Sequence, residues 1–74
     1  MRVSEFWRAV DQVFGEAYGA VVARDVVLED LGGRSAADAI AAGIDTRKVW
    51  DALCDSQDVP VDRRHGKGLI DPPN

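Results

Sequence analysis

Cys54 and His65 are the two side chains whose types first suggest chemistry, a thiol and an imidazole in a chain of 74 residues. Together they could form a nucleophile and base, or the start of a metal site. Their spacing argues against both. They lie eleven positions apart on different expected elements, and zinc needs three or four ligands within reach of one ion. A single cysteine also excludes an intramolecular disulfide framework. Cys54 falls on an apolar helical face, where a free cysteine behaves as a small buried hydrophobe. His65 stands among Arg63, Arg64 and Lys67, a short basic cluster suited to a solvated surface or an acidic partner.

The carboxylates give the same answer. There are 13 acids against 9 bases, a formal net charge of −4. The acids are spread along every element rather than paired, as on a solvated surface. No glycine-rich loop follows a strand pattern, so a phosphate cradle of the nucleotide-binding kind is not expected. The chain therefore reads as non-enzymatic, with no cofactor and no metal.

The elements that carry these side chains are read from glycines, caps and periodicity. Composition is 46% hydrophobic and 30% charged, and the length allows one small domain. No apolar run approaches the ~20 residues of a membrane span, and the first residues lack the apolar core of a signal peptide. A cytoplasmic protein is expected. Ser4 caps a first helix in which Phe6, Val10, Val13, Phe14 and Ala17 follow helical spacing, with Trp7 widening the face, until Gly15 ends or bends it. Residues 16–28 read as a second helix with Tyr18, Val21, Val22 and Val26 on one face. Gly32 and Gly33 are its stop, and Leu31 folds back onto the core. Ser35 with Asp38 opens a third, alanine-rich helix that ends at Gly43. Asp45 caps a fourth over residues 46–56, where Val49, Trp50, Leu53 and Cys54 form an apolar face. Pro60 starts a short final helical turn that ends near His65 or Gly66.

The expected fold is all-α: a small single-domain bundle of four helices plus a short C-terminal helical turn. Residues 1–66 form the domain and residues 67–74 a tail. Trp7, Phe14, Tyr18 and Trp50 are the expected core anchors.

Residues 39–49 resemble a helix-turn-helix core. Ala39, Gly43, Ile44 and Val49 have the small–glycine–apolar–apolar spacing that lets two helices cross closely. Thr46, Arg47 and Lys48 would then open the recognition helix. Asp38 stands where an apolar residue is usual, and Asp45 and Asp51 offset Arg47 and Lys48. Duplex binding rests on a basic footprint, so net acidity disfavours nucleic acid. The leading expectation is a protein-interaction module, binding a partner or itself. Arg24, Arg34, Arg47, Lys48 and Trp50 are the candidate contacts, because Arg and Trp dominate interface hot spots.

A set of short motifs runs through the chain in order. It comprises Ser4-Glu5-Phe6-Trp7, Phe14-Gly15, Tyr18-Gly19, Ala23-Arg24-Asp25, Leu31-Gly32-Gly33-Arg34, Gly43-Ile44-Asp45, Arg47, Val49-Trp50, Ala52-Leu53-Cys54 and Val59-Pro60. Over residues 1–66 these resemble a family of short actinobacterial proteins that carry a domain of unknown function. The resemblance implies a cytosolic bacterial protein encoded near the recombinase of homologous DNA repair and its regulator. It implies no activity, cofactor or functional residue.

Overall fold

A computed structural model describes residues 1–64. The expected basic residues His65 and Lys67, and the expected tail, lie outside the described residues. Among those described, four helices α1–α4 and one very short hairpin make an essentially all-α domain.

Helix α1 spans Val3–Phe14 and buries Phe6, Ala9 and Val10, an i, i+3, i+4 stripe. Its start corrects the expected Ser4 cap. The helix begins one residue before Ser4, and the Arg2 backbone N–H donates to the Glu5 carboxylate at 2.7 Å. That contact satisfies an N–H at the helix start while placing negative charge in the first turn. Gly15, at φ +88°, ends α1 and leads directly into α2, Glu16–Asp25.

Gly19 sets the α1–α2 crossing. A Cβ there would lie 2.7 Å from Val10 Cγ1 and 3.0 Å from the Val10 carbonyl oxygen. Gly19, Val22 and Ala23 therefore face inward. At about 100° per residue, Tyr18 and Val21 are turned off that stripe. This corrects the expected face: Tyr18 is 56% exposed and is not a core anchor, and Val21 is exposed too.

The second helix also ends earlier than residue 28. Val26 is extended, and β1, Val27–Leu28, pairs antiparallel with β2, Arg34–Ser35. The β-branched run suits a strand better than a helix end. Gly32 and Gly33 thus close a hairpin turn rather than a helix. Both have positive φ, and the Gly33 N–H donates to the Leu28 carbonyl at 3.1 Å. Leu28 and Leu31 are buried, the latter as expected.

Ser35 then caps α3, Ala36–Ala41, its Oγ accepting from the Asp38 N–H at 3.1 Å. Beyond α3 the chain turns through Gly43 at φ +86°. The Gly43 N–H donates to Ile40 and the Ile44 N–H to Ala39, both at 3.1 Å, which is a Schellman closure with Ile44 packed on the core. Asp45 caps α4, Thr46–Ser56, accepting from the Lys48 N–H at 3.1 Å. The Thr46 hydroxyl donates to the Met1 carbonyl and ties the two helix starts together. A 3₁₀ turn, Val61–Arg63, follows Pro60.

Trp50 is the centre of the core at 1% exposure. Phe6 and Phe14 meet it edge-on, with ring centroids 6.0 and 6.1 Å away. Such pairs add about 0.5–1.5 kcal/mol beyond area burial. Trp7 and Phe14 are only half-buried and pack at the core's margin. Alanines 36 and 39 are fully buried, so α3 lies close to its neighbours. Among the described residues no helix is long and apolar enough to cross a membrane.

Candidate functional site

The five expected contact residues do not form one surface. Trp50 is buried in the core and is corrected from contact residue to core anchor; its indole N–H donates inward to the Arg64 carbonyl at 3.0 Å. Arg34 is exposed but spends its guanidinium on the hairpin, donating to the Leu31 carbonyl at 3.0 Å. Arg24 is exposed in the last turn of α2. Arg47 and Lys48 are exposed at the start of α4, where Arg47 lies 3.8 Å from Asp51. The shallow cleft beside them gathers Asp30, Asp45, Asp51 and Asp55. That end of α4 is mixed to acidic rather than a positive ridge. The helix-turn-helix spacing itself packs locally, with Ala39 and Val49 buried and Ile44 half-buried.

Cys54 is fully buried beneath α4, and burial pushes its thiol up to about 12, with Arg64 pulling the other way. A thiol held protonated and out of solvent is a poor nucleophile. Among the described residues no group of three or more His, Cys, Asp or Glu is placed to hold a metal ion.

Arg64 has a role that its place in a basic cluster concealed. Its Nη2 donates to Asp55 at 2.6 Å and its Nε to the Val59 carbonyl at 2.9 Å. Its own carbonyl accepts from Trp50. The Asp55 hydrogen bond raises the Arg64 pKa above its already high ordinary value. One side chain thus fastens the segment after α4 onto that helix, so Arg64 belongs to the fold and not to a solvated tail.

That fastening leaves an open cleft of about 630 Å³ between the α1–α2 junction and the segment after α4. Val13, Phe14 and Tyr18 form one wall, and Val59 and Pro60 the other. The Tyr18 hydroxyl donates to Gln57 Oε1 at 3.2 Å and links the two walls. Asp58, Asp62 and Arg63 also line the cleft.

Asp58 has an unusual backbone. It is at φ +57°, alone in that region among the described non-glycine residues. Its N–H donates to Asp55 at 3.2 Å, and the Val59 N–H donates to Cys54 at 3.0 Å. This is a second Schellman closure, with aspartate where Gly43 serves the first. An L-residue in that conformation is unfavourable, though less so for Asp than for most.

The sequence carried faint signals of this cleft. Val59-Pro60 directly after a helix end marks an apolar turn, and Tyr18 beside Gly19 marks an aromatic next to a close crossing. No curated protein and no solved structure matches the chain. A family profile described as "Protein of unknown function (DUF3046)" matches residues 1–62, which include both walls of the cleft and all four helices. The chain belongs to that family.

Proposed function

We propose that this domain is a non-enzymatic, cytoplasmic protein-interaction module whose contact surface is the cleft between the α1–α2 junction and the segment after α4. The observation that carries the reading is the composition of that cleft. An exposed aromatic, Tyr18, and the apolar Val13, Phe14, Val59 and Pro60 stand together with a polar rim. Apolar centres with polar rims are the usual anatomy of interfaces, and Tyr is enriched among their strongest contacts. The shielded thiol of Cys54 and the dispersed carboxylates support binding over catalysis. The resemblance to chains encoded near the homologous-recombination recombinase makes repair proteins the first partners to screen.

The test is capture from a native lysate on the immobilised full chain, run beside Tyr18→Ser and Arg47→Glu. A partner retained by the wild type and Arg47→Glu but lost by Tyr18→Ser supports the cleft. A partner lost only by Arg47→Glu, or no partner from any bait, overturns the reading.

A second reading, a small helix-turn-helix DNA-binding regulator, is favoured by one observation: the Ala39–Gly43–Ile44–Val49 spacing closes a tight α3–α4 turn. The carboxylates around Arg47 and Lys48 weigh against it. It predicts salt-dependent retardation of duplex DNA that Arg47→Ala with Lys48→Ala abolishes. No retardation at low salt removes it.

A further inference from the structure

The outer face of α2 is open. Gly19, Val22 and Ala23 point to the core, and Gly19 seats the helix directly on Val10. On the opposite side Ala17, Ala20, Val21 and Arg24 are all exposed, at i, i+3, i+4 and i+7. Val21 keeps 53% of its surface open in the middle of that stripe. The two alanines beside it let a second helix backbone come close, since interaxial distance is set by the side chains at the contact.

Charge decides which second helix fits. Glu16 stands in the first turn of α2 and Arg24 in the last. Among the described residues neither is in an ion pair. Lay a second α2 antiparallel on the first, about a twofold axis between Ala20 and Val21. Ala20 then comes level with Val21, and Arg24 level with Ala17 of the second copy, next to its Glu16. The opposite-charge contact forms twice by symmetry. Asp25 also comes level with Glu16 of the second copy. At about 100° per residue, however, Asp25 and Glu16 border the stripe about 180° apart, so these like charges sit on opposite flanks. A parallel pair would instead set Glu16 on Glu16 and Arg24 on Arg24, with the two helix dipoles aligned.

We propose that two copies of this chain associate through α2, antiparallel, with Ala17, Ala20 and Val21 at the centre and Arg24 of each copy against Glu16 of the other. Helix α2 has 10 residues. At about 15 Å long, its face falls well short of the ~800 Å² per partner of a standard interface. The dimer is therefore weak, dissociating on the order of 100 micromolar. None of Glu16, Ala17, Ala20, Val21 and Arg24 lines the cleft, so this contact stands or falls separately from the interaction reading.

Sedimentation equilibrium of the full chain, from tens of micromolar to millimolar, is the experiment, with circular dichroism to check the fold of each variant. The wild type should pass from monomer to twice the monomer mass, and Val21→Glu should stay monomeric. Arg24→Glu and Glu16→Arg should each weaken association at least tenfold alone, and Arg24→Gln by less. An equimolar mixture of Arg24→Glu and Glu16→Arg should associate as the wild type does, because each mixed pair regains both opposite-charge contacts. Arg47→Glu, the same charge change on another helix, should stay within twofold of the wild type. A wild type that is monomeric at millimolar concentration overturns the proposal. So does a dimer that Arg24→Glu leaves unchanged, one that Arg47→Glu weakens equally, or a mixture of the two folded variants that stays monomeric.

Discussion

The two ends of α4 are built alike and dressed differently. Each adjoins a Schellman turn, one through Gly43 before the helix and one through Asp58 after it. At the N-terminal end the charged side chains largely answer one another: Asp45 caps the helix, Arg47 pairs with Asp51, and more carboxylates than cations face the shallow cleft. At the C-terminal end Arg64 is consumed by the fold, and the open cleft sets Tyr18 and the apolar Val13, Phe14, Val59 and Pro60 beside Asp58, Asp62 and Arg63. On the proposed reading, exposed charge is a poor guide to the contact surface. A solvated ion pair contributes only about 0–1 kcal/mol and leaves little to offer a partner. Unburied aromatic and aliphatic area still has burial to gain.

The largest expected effect comes from the residue that joins both ends. Trp50→Ala should cost about 3–5 kcal/mol, enough to unfold a domain of this size. It removes the centre of the core and the indole donor to Arg64. Circular dichroism at 25 °C should show loss of helix; a folded variant would mean that the two ends are not held by a common core.

Gly19→Ala comes next, at about 1–3 kcal/mol from overpacking against Val10. Denaturant titration checks the cost. Because Gly19 sets how Tyr18 is presented, the variant should also perturb the cleft before it perturbs Arg47 and Lys48. Equal stability would show that Val10 yields easily and that the crossing does not position the wall.

Cys54, beneath the C-terminal half of α4, makes stability depend on pH. The unfolded thiol ionises near 9.0, while the folded one is held protonated up to about 12. Its contribution is fully present below pH 9.0 and is lost as pH rises through that window, because the unfolded state alone sheds the proton. The stability difference between wild type and Cys54→Ala should therefore fall from pH 9 to pH 11. A flat difference would mean that the thiol is not shielded.

The smallest effect isolates the contrast between the two turns. Asp58→Gly should stabilise by roughly 0.5 kcal/mol, since glycine adopts positive φ freely and gives back part of that gain in unfolded-state entropy. Thermal unfolding reads it. Destabilisation would show that the Asp58 side chain contributes to the fold and is not held in reserve for a ligand.

Much of the fold was legible because its signals are local. Ser35 and Asp45 cap the helices that the sequence assigns to them, and Gly43 stops α3. The apolar face of α4 appears as spaced, with Cys54 buried. What failed depends on non-local geometry. Val27 and Leu28 leave the helix because residues after the Gly32-Gly33 turn pair with them. Tyr18 leaves the core because Gly19, its neighbour, must touch Val10. The site was the least legible part. Trp50 and Arg34 were chosen by residue type, yet one is core and the other braces a hairpin. The cleft joins positions some forty residues apart, Val13 to Tyr18 and Gln57 to Arg63, and no spacing rule connects them.

The most direct test measures one captured or purified partner against three forms of the full chain: wild type, Tyr18→Ser and Arg47→Glu. Binding should fall at least tenfold for Tyr18→Ser and change less than twofold for Arg47→Glu, a tenfold loss being about 1.4 kcal/mol. Loss on Arg47→Glu with Tyr18→Ser unaffected would move the contact surface to the other end of α4 and contradict the account.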